Sequence, residues 1–166
     1  MNWIYVESSA LLERVTEQPR AREVAAAVAT ATKLVTSELA ILEAMRVLAR
    51  AGRPNQAPLA RLAVWQDRLH LFPIGLGLKQ ELARPFPLEP VRTLDAIHLA
   101  TALCLRVPGE RVGFLALDER IRQNAAALGF AVLLGSTVSG RPSCQGPMRG
   151  SAFSSATFSA WGSRAS

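Results

Sequence analysis

Apolar residues in this chain fall in short runs set between longer stretches of helical period, and that alternation constrains the fold before anything else does. "WIYV" at 3–6 reads as a buried strand and passes at once into a helix start in "ESSALLERV". "KLVT" at 33–36 is a second strand, feeding the helix "SELAILEAMRVLARAG", which stops at Gly52 with Arg46 and Arg50 near its C-terminus. A helix around 55–71 and a short strand in "LFPIG" follow, then helical stretches near 76–83 and 93–106. The strand "VGFLAL" at 112–117, a helix from Glu119 to Leu128 and the strand "FAVLL" at 130–134 complete the pattern. Strands that alternate with helices of about ten residues pair in parallel through right-handed crossovers. The expected fold class is therefore α/β: a three-layer α/β/α sandwich with a central parallel sheet of about four to five strands and helices on both faces. Ligands of such sheets bind beyond the carboxyl ends of the strands, so chemistry is expected there.

Composition narrows the setting. The 166 residues suit one core-forming domain, expected over 1–135; from Ser136 to Ser166 the chain turns rich in serine, glycine and arginine, holds no acid, and reads as a disordered extension. Apolar stretches such as "VAAAVATA" at 24–31 are far too short to span a membrane, and "MNWIYVESS" lacks the basic and apolar regions of a leader, so a cytoplasmic location is expected. Cys104 and Cys144 form no disulfide framework or zinc spacing. The net charge is +6, and of 19 bases only Lys33 and Lys79 are lysine. Arginine's planar donor fork suits phosphate, which makes nucleic acid a plausible partner.

Candidate chemistry lies with the acids. "WIYV" runs into Glu7 and "VGFLAL" into Asp118, each just before a helix, so both carboxylates should project from one edge of the sheet. Asp118 is also a good helix cap and Glu7 a poor one. Glu43 sits in the helix after the second strand, between Leu39 and Val47 and away from the stripe of Ile41, Met45 and Leu48; a surface pair with Arg46 would account for it. Glu38, in the first turn of the same helix, suits the helix dipole better. Asp95 opens "LDAIHLATALCL", a stretch so apolar that a carboxylate in it needs a partner. His98, one turn on, reads as a satisfied core residue, since neither "HExxH" nor a second close histidine accompanies it.

Taken together, Glu7, Glu43, Asp95 and Asp118 are harder to explain one by one. Carboxylates brought close repel one another unless a cation compensates, and Mg²⁺ or Mn²⁺ prefers oxygen ligands while keeping waters and accepting phosphate oxygens. Such a site beside arginines suits attack of an activated water on a phosphodiester. A phosphate loop "GxxxxGK" is missing, and "GLG" at 75–77 does not extend into a dinucleotide fingerprint, so no nucleotide cofactor is expected. A phosphoacceptor receiver domain would need a lysine late in the sheet, where neither Lys33 nor Lys79 stands.

The segments "IYVESSALLE", "VTSELAILEAMRVL", "RTLDAIHLATAL" and "FLALDERIRQNAAALGF" resemble, in order, the signature segments of PIN-domain ribonucleases, specifically VapC-type toxins of bacterial toxin–antitoxin pairs. The resemblance covers about residues 3 to 134. It implies a PIN-like fold, Mg²⁺- or Mn²⁺-dependent endoribonuclease activity on RNA, homodimerisation, and a cognate antitoxin as partner. The family's four acids fall on Glu7, Glu43, Asp95 and Asp118 as catalytic and metal-holding residues. Ser8 or Ser9 matches the hydroxyl residue that follows the first acid, a position that helix capping explains equally well.

Two departures stand out. The family's first acid is normally aspartate, and Glu7 adds about 1.5 Å of reach where site geometry tolerates errors of roughly 0.5 Å. That leaves an alternative reading: a PIN-like module impaired in catalysis that binds an antitoxin or RNA. The extension beyond Gly135 is the other departure, either a basic arm for RNA or a segment without selected function, the second being preferred. Sixteen bases remain through Gly135 against nine acids outside the four candidates, a balance that favours a phosphate backbone as partner.

Overall fold

A computed structural model describes residues 2–51, 56–106 and 109–134, all within the unit Met1–Ser136. The serine-rich extension expected over 136–166, and the helix stop expected at Gly52, lie outside the described residues. Five strands, β1 (Asn2–Val6), β2 (Lys33–Ser37), β3 (Leu69–Phe72), β4 (Arg111–Leu115) and β5 (Ala131–Leu133), form one parallel sheet in the order β3-β2-β1-β4-β5. The chain leaves β1 for β2 and β3 on one side, then returns to place β4 and β5 on the other. Strand order therefore reverses at β1, and a crevice opens where β1 and β4 part at their carboxyl ends.

Alternation along the strands builds two cores, which is why the apolar runs carry no polar gaps. Ile4, Val6, Leu34 and Leu115 face one layer, where they meet Leu11, Val15, Val24, Val28, Ile41, Leu48, Leu62 and Trp65. Those residues come from α1 (Ser8–Val15), α2 (Ala21–Ala29), α3 (Glu38–Arg50) and α4 (Gln56–Gln66). Tyr5, Val35, Val112 and Phe114 face the other, against Leu99, Leu105, Ile121, Ala125 and Phe130. That layer carries α6 (Thr93–Cys104) and α7 (Glu119–Ala127), with α5 (Leu76–Leu82) packed on α6. Tyr5, Phe114 and Phe130 form a run of ring contacts through it. Gly113 lets β4 pass close to both neighbours: a Cβ there would stand 3.2 Å from Leu133 Cδ1 and 3.4 Å from Ile4 Cγ1.

Several boundaries differ from the expected ones. The α2 helix has no counterpart in the sequence reading, because "VAAAVATA" carries too little side-chain bulk to set a clear stripe. The third strand is Leu69–Phe72, two residues earlier than "LFPIG" suggested, since Pro73 cannot donate to a ladder. Met45, placed in the buried stripe of α3, is 49% exposed; the buried face is Leu39, Ala40, Ile41, Ala44 and Leu48. Gly129, at φ +85°, ends α7 by donating to Ala126 O while Phe130 N reaches Ala125 O, and so turns the chain into β5.

Candidate active site

Glu7 is positioned by the sheet itself. Its amide donates to Leu115 O at 2.9 Å, extending the β1–β4 ladder to the crevice. Its backbone is extended, and the side chain curls back over the first turn of α1. Ser8 Oγ donates to Oε1 at 2.6 Å, the Ser9 amide donates to Oε2 at 2.8 Å, and Ser9 Oγ also donates to Oε2. The expectation that Glu7 caps poorly is corrected here, because the extra methylene gives the carboxylate room to fold back onto Ser9 N. Ser9 Oγ in turn accepts from Leu117 N at 2.9 Å, so one hydroxyl joins the ends of β1 and β4.

Glu43 does not pair with Arg46 as a surface ion pair. It turns into the crevice and meets His98, with His98 Nε2 2.7 Å from Glu43 Oε2. His98 is only 1% exposed and stands 3.8 Å from Glu7 Oε1 as well. Its Nδ1 lies 2.7 Å from the Tyr5 hydroxyl and 3.3 Å from Ser37 Oγ. Burial, with the charge of Glu7 adding, pushes the Tyr5 hydroxyl far above its ordinary range against hydrogen bonds from Ser37 and Thr101, so it stays protonated and donates to Nδ1. That assigns the remaining imidazole proton to Nε2, where it is donated to Glu43. Glu43 is accordingly held below its ordinary value: partial burial acts to raise it, and the hydrogen bond and N–H dipole of His98 with help from Ser8 outweigh that.

Asp95 comes from the first turn of α6 and is half-buried; Asp118 caps α7, accepting from Arg120 N at 2.8 Å, and is exposed. Burial raises the Asp95 carboxyl above its ordinary value, and the charges of Asp118 and then Glu7 raise it further, against weaker opposition from Arg92 and His98. No hydrogen bond or ion pair within the described residues answers the Asp95 carboxylate. The side chains that gather most tightly are Glu7, Glu43 and His98, whose candidate ligand atoms all lie within 4.8 Å of one another. Asp95 and Asp118 stand outside that tight group; the charges of Asp118 and of Glu7 both act on Asp95, which lies between them electrostatically.

Residues of the site went unassigned in the sequence. His98 reads from the sequence as core; it is core and site together, and its signal is the i, i+3 spacing from Asp95 on one helix face. Tyr5 and Ser37 carried weaker signals, one two residues before Glu7 in β1, the other at the carboxyl end of β2. The donor set fits a hard divalent cation: carboxylate oxygens predominate, and Asp95 shows acids repelling one another with no full cationic answer from the chain. The imidazole is a support in this set rather than a ligand, since Nε2 carries the proton given to Glu43.

Fold and site together define an α/β domain with a carboxylate centre at the switch point of a parallel sheet. Residues 4–127 match the PIN domain family. Ribonuclease VapC46 of Mycobacterium tuberculosis is 36% identical over 130 residues, covering 78% of this chain and 95% of that protein. Two solved structures share the fold. VapBC2 from Rickettsia felis, bound to a DNA fragment from their promoter, has a TM-score of 0.58 at 9% identity, over 80% of this chain and 97% of that one. VapC20 of Mycobacterium tuberculosis, a sarcin-ricin loop cleaving toxin, has a TM-score of 0.57 at 18% identity, over 84% and 99%. The chain belongs to the PIN domain family, among its VapC-type ribonucleases.

Proposed function

We propose that this protein is a divalent-metal-dependent endoribonuclease and the toxin of a toxin–antitoxin pair. The observation that carries the reading is the meeting of Glu7 and Glu43 at the β1–β4 crevice, with Asp95 feeling the charges of both Glu7 and Asp118. Glu7, Glu43, Asp95 and Asp118 would hold Mg²⁺ or Mn²⁺ directly or through water. A bound divalent cation supplies charge for the phosphodiester oxygens and lowers the pKa of a water molecule in the site. The chain supplies the rest. Ser8 and Ser9 orient Glu7, His98 orients Glu43, and Asp95, whose carboxyl is raised, keeps a proton more readily than an ordinary aspartate. The basic surface through Gly135 favours an RNA backbone, and the likeness to VapC20 makes a structured RNA loop the first substrate to try.

The partners proposed are a cognate antitoxin and a second copy of the chain; VapBC2 is a similar fold solved in the company of its own partner. No helix among the described residues is long and apolar enough to cross a membrane, and a cytoplasmic site of action is proposed. The test is cleavage of single-stranded and looped RNA by the purified full chain with Mg²⁺ or Mn²⁺. Cleavage abolished by EDTA and by Asp95→Asn is the expected result. An inert chain that becomes active as Glu7→Asp would replace the reading with a binding module impaired at its first acid. Expression without the adjacent antitoxin gene should arrest growth; no arrest and no such neighbour would count against a toxin.

A further inference from the structure

Beside the acidic crevice, between the loop before α6 and the exposed side of α7, lies a second cavity of about 230 Å³. Asp95 forms part of its wall, and the exposed Arg120, whose amide caps onto Asp118, lines it too, so cavity and site share the Asp95 side chain. Its walls are built rather than incidental. The buried Asn124 side chain clamps the loop from both sides: Leu88 N donates to Oδ1 at 2.9 Å, and Nδ2 donates to Leu88 O at 3.1 Å. Glu89 is fixed within the same loop, Oε1 accepting from Phe86 N at 3.0 Å and Oε2 from Val91 N at 2.8 Å. Each of those oxygens keeps a free lone pair. Gln123 gives its amide hydrogen to Glu119 Oε1 at 3.1 Å, which leaves its carbonyl oxygen free to accept.

The cavity thus offers apolar sides from Leu88, Val91 and Ile121, a pair of fixed carboxylate oxygens, and an unengaged amide carbonyl. We infer that it is a base-recognition subsite that takes one guanine of the RNA beside the bond to be cut. Guanine presents two adjacent donors, N1–H and the 2-amino group, which match a lining carboxylate with both oxygens fixed in place. Uracil presents a single donor between two acceptors, and its carbonyls would face carboxylate lone pairs. The exposed Arg120 is placed for a neighbouring phosphate, since its guanidinium makes no ion pair among the described residues. The inference rests on the ribonuclease reading and extends it to what the site selects.

The experiment uses the full chain, Mg²⁺ and a library of random-sequence single-stranded RNA, with the cut ends read by sequencing. The expected result is guanine enriched at one fixed position beside the cut. Inosine at that position, which lacks only the 2-amino group, should lower cleavage about tenfold, the scale of a good bidentate base contact. Glu89→Gln and Gln123→Ala should flatten the guanine preference, read as a ratio within one digest and so independent of overall rate. Cutting without a guanine preference, or a preference unchanged in both variants, overturns the inference. If no RNA is cut with any metal, the nuclease reading fails on its own account. The subsite then stands or falls on whether guanosine 3′-monophosphate, and not uridine 3′-monophosphate, shifts the side-chain amide signals of Gln123 and Asn124 in NMR.

Discussion

The Tyr5–His98–Glu43 chain makes a quantitative claim: a phenol in the core controls a carboxylate of the site through one imidazole. Tyr5→Phe removes only the hydroxyl, leaving the ring stack on Phe114 and the fold of β1 intact. His98 Nδ1 then keeps Ser37 Oγ alone, at 3.3 Å, a longer contact than the 2.7 Å one it loses. Leaving a buried acceptor short of its donor costs about 1–3 kcal/mol. For a folded unit of this size that is a fall in Tm of roughly 3–10 °C. The sharper assay is a double-mutant cycle with Glu43→Gln, followed by urea denaturation of the full chain in EDTA. No hydrogen bond joins Tyr5 to Glu43 directly, so any coupling runs through the His98 tautomer. The expected coupling energy is about 0.5 kcal/mol or more, and additivity within about 0.3 kcal/mol would refute the relay. RNA cleavage should fall in Tyr5→Phe as well, because the Nε2 proton is no longer directed to Glu43.

Other substitutions separate charge, hydroxyl and packing. Asp95→Asn should abolish cleavage yet raise the Tm of the metal-free protein. The folded-state pKa of Asp95 is raised, so its ionisation costs stability, and that cost grows as pH rises through the ordinary carboxylate value near about 3.9 and is complete above the folded value. The Tm difference between the two proteins should therefore widen from acid to neutral pH, and a constant difference would contradict the assignment. Ser9→Ala strands Leu117 N and takes the hydroxyl donor from Glu7, leaving the Ser9 amide in place, and should cost about 1–3 kcal/mol in urea melts together with a loss of cleavage. Gly113→Ala forces a methyl against Leu133 and Ile4 and should destabilise by about 1–3 kcal/mol, with the rate per folded molecule unchanged.

Topology was legible because strand runs and helical periods are local signals, and parallel pairing follows from the crossovers between them. Glu7 and Asp118 were legible for the same reason: each sits where a strand ends, and register does the rest. Glu43 was legible only through family resemblance. Helical geometry placed it correctly off the apolar stripe, yet could not say that α3 presses that side toward α6, where His98 waits 55 residues away in sequence. The role of His98 was hidden by its surroundings, since a histidine in an apolar helix looks alike whether it fills a core or steadies a carboxylate. The loop that walls the second cavity carried no signal either. Its anchor is a single asparagine whose partners are backbone atoms 36 residues away, and no periodicity records such a bond.

Glu7 is where sequence and structure bear on each other most closely. A longer side chain in place of aspartate suggests a carboxylate that overshoots, and overshoot with free rotation would spoil a site that tolerates only fractions of an ångström. The fold removes the freedom rather than the length. Backbone position is set by the Leu115 ladder, both oxygens are held by Ser8 and Ser9, and Ser9 is itself held by Leu117, so the chain of constraint closes on β4. The extra methylene is taken up by the backward curl over the helix start. Glu7→Asp should therefore not act as a simple repair: the shorter carboxylate would cap α1 well and withdraw from His98, now 3.8 Å away. If cleavage by the natural chain exceeds that of Glu7→Asp, the site is built around glutamate. If the aspartate form is the faster by about tenfold or more, the serines hold Glu7 in a compromise, and the curl is a cost to catalysis.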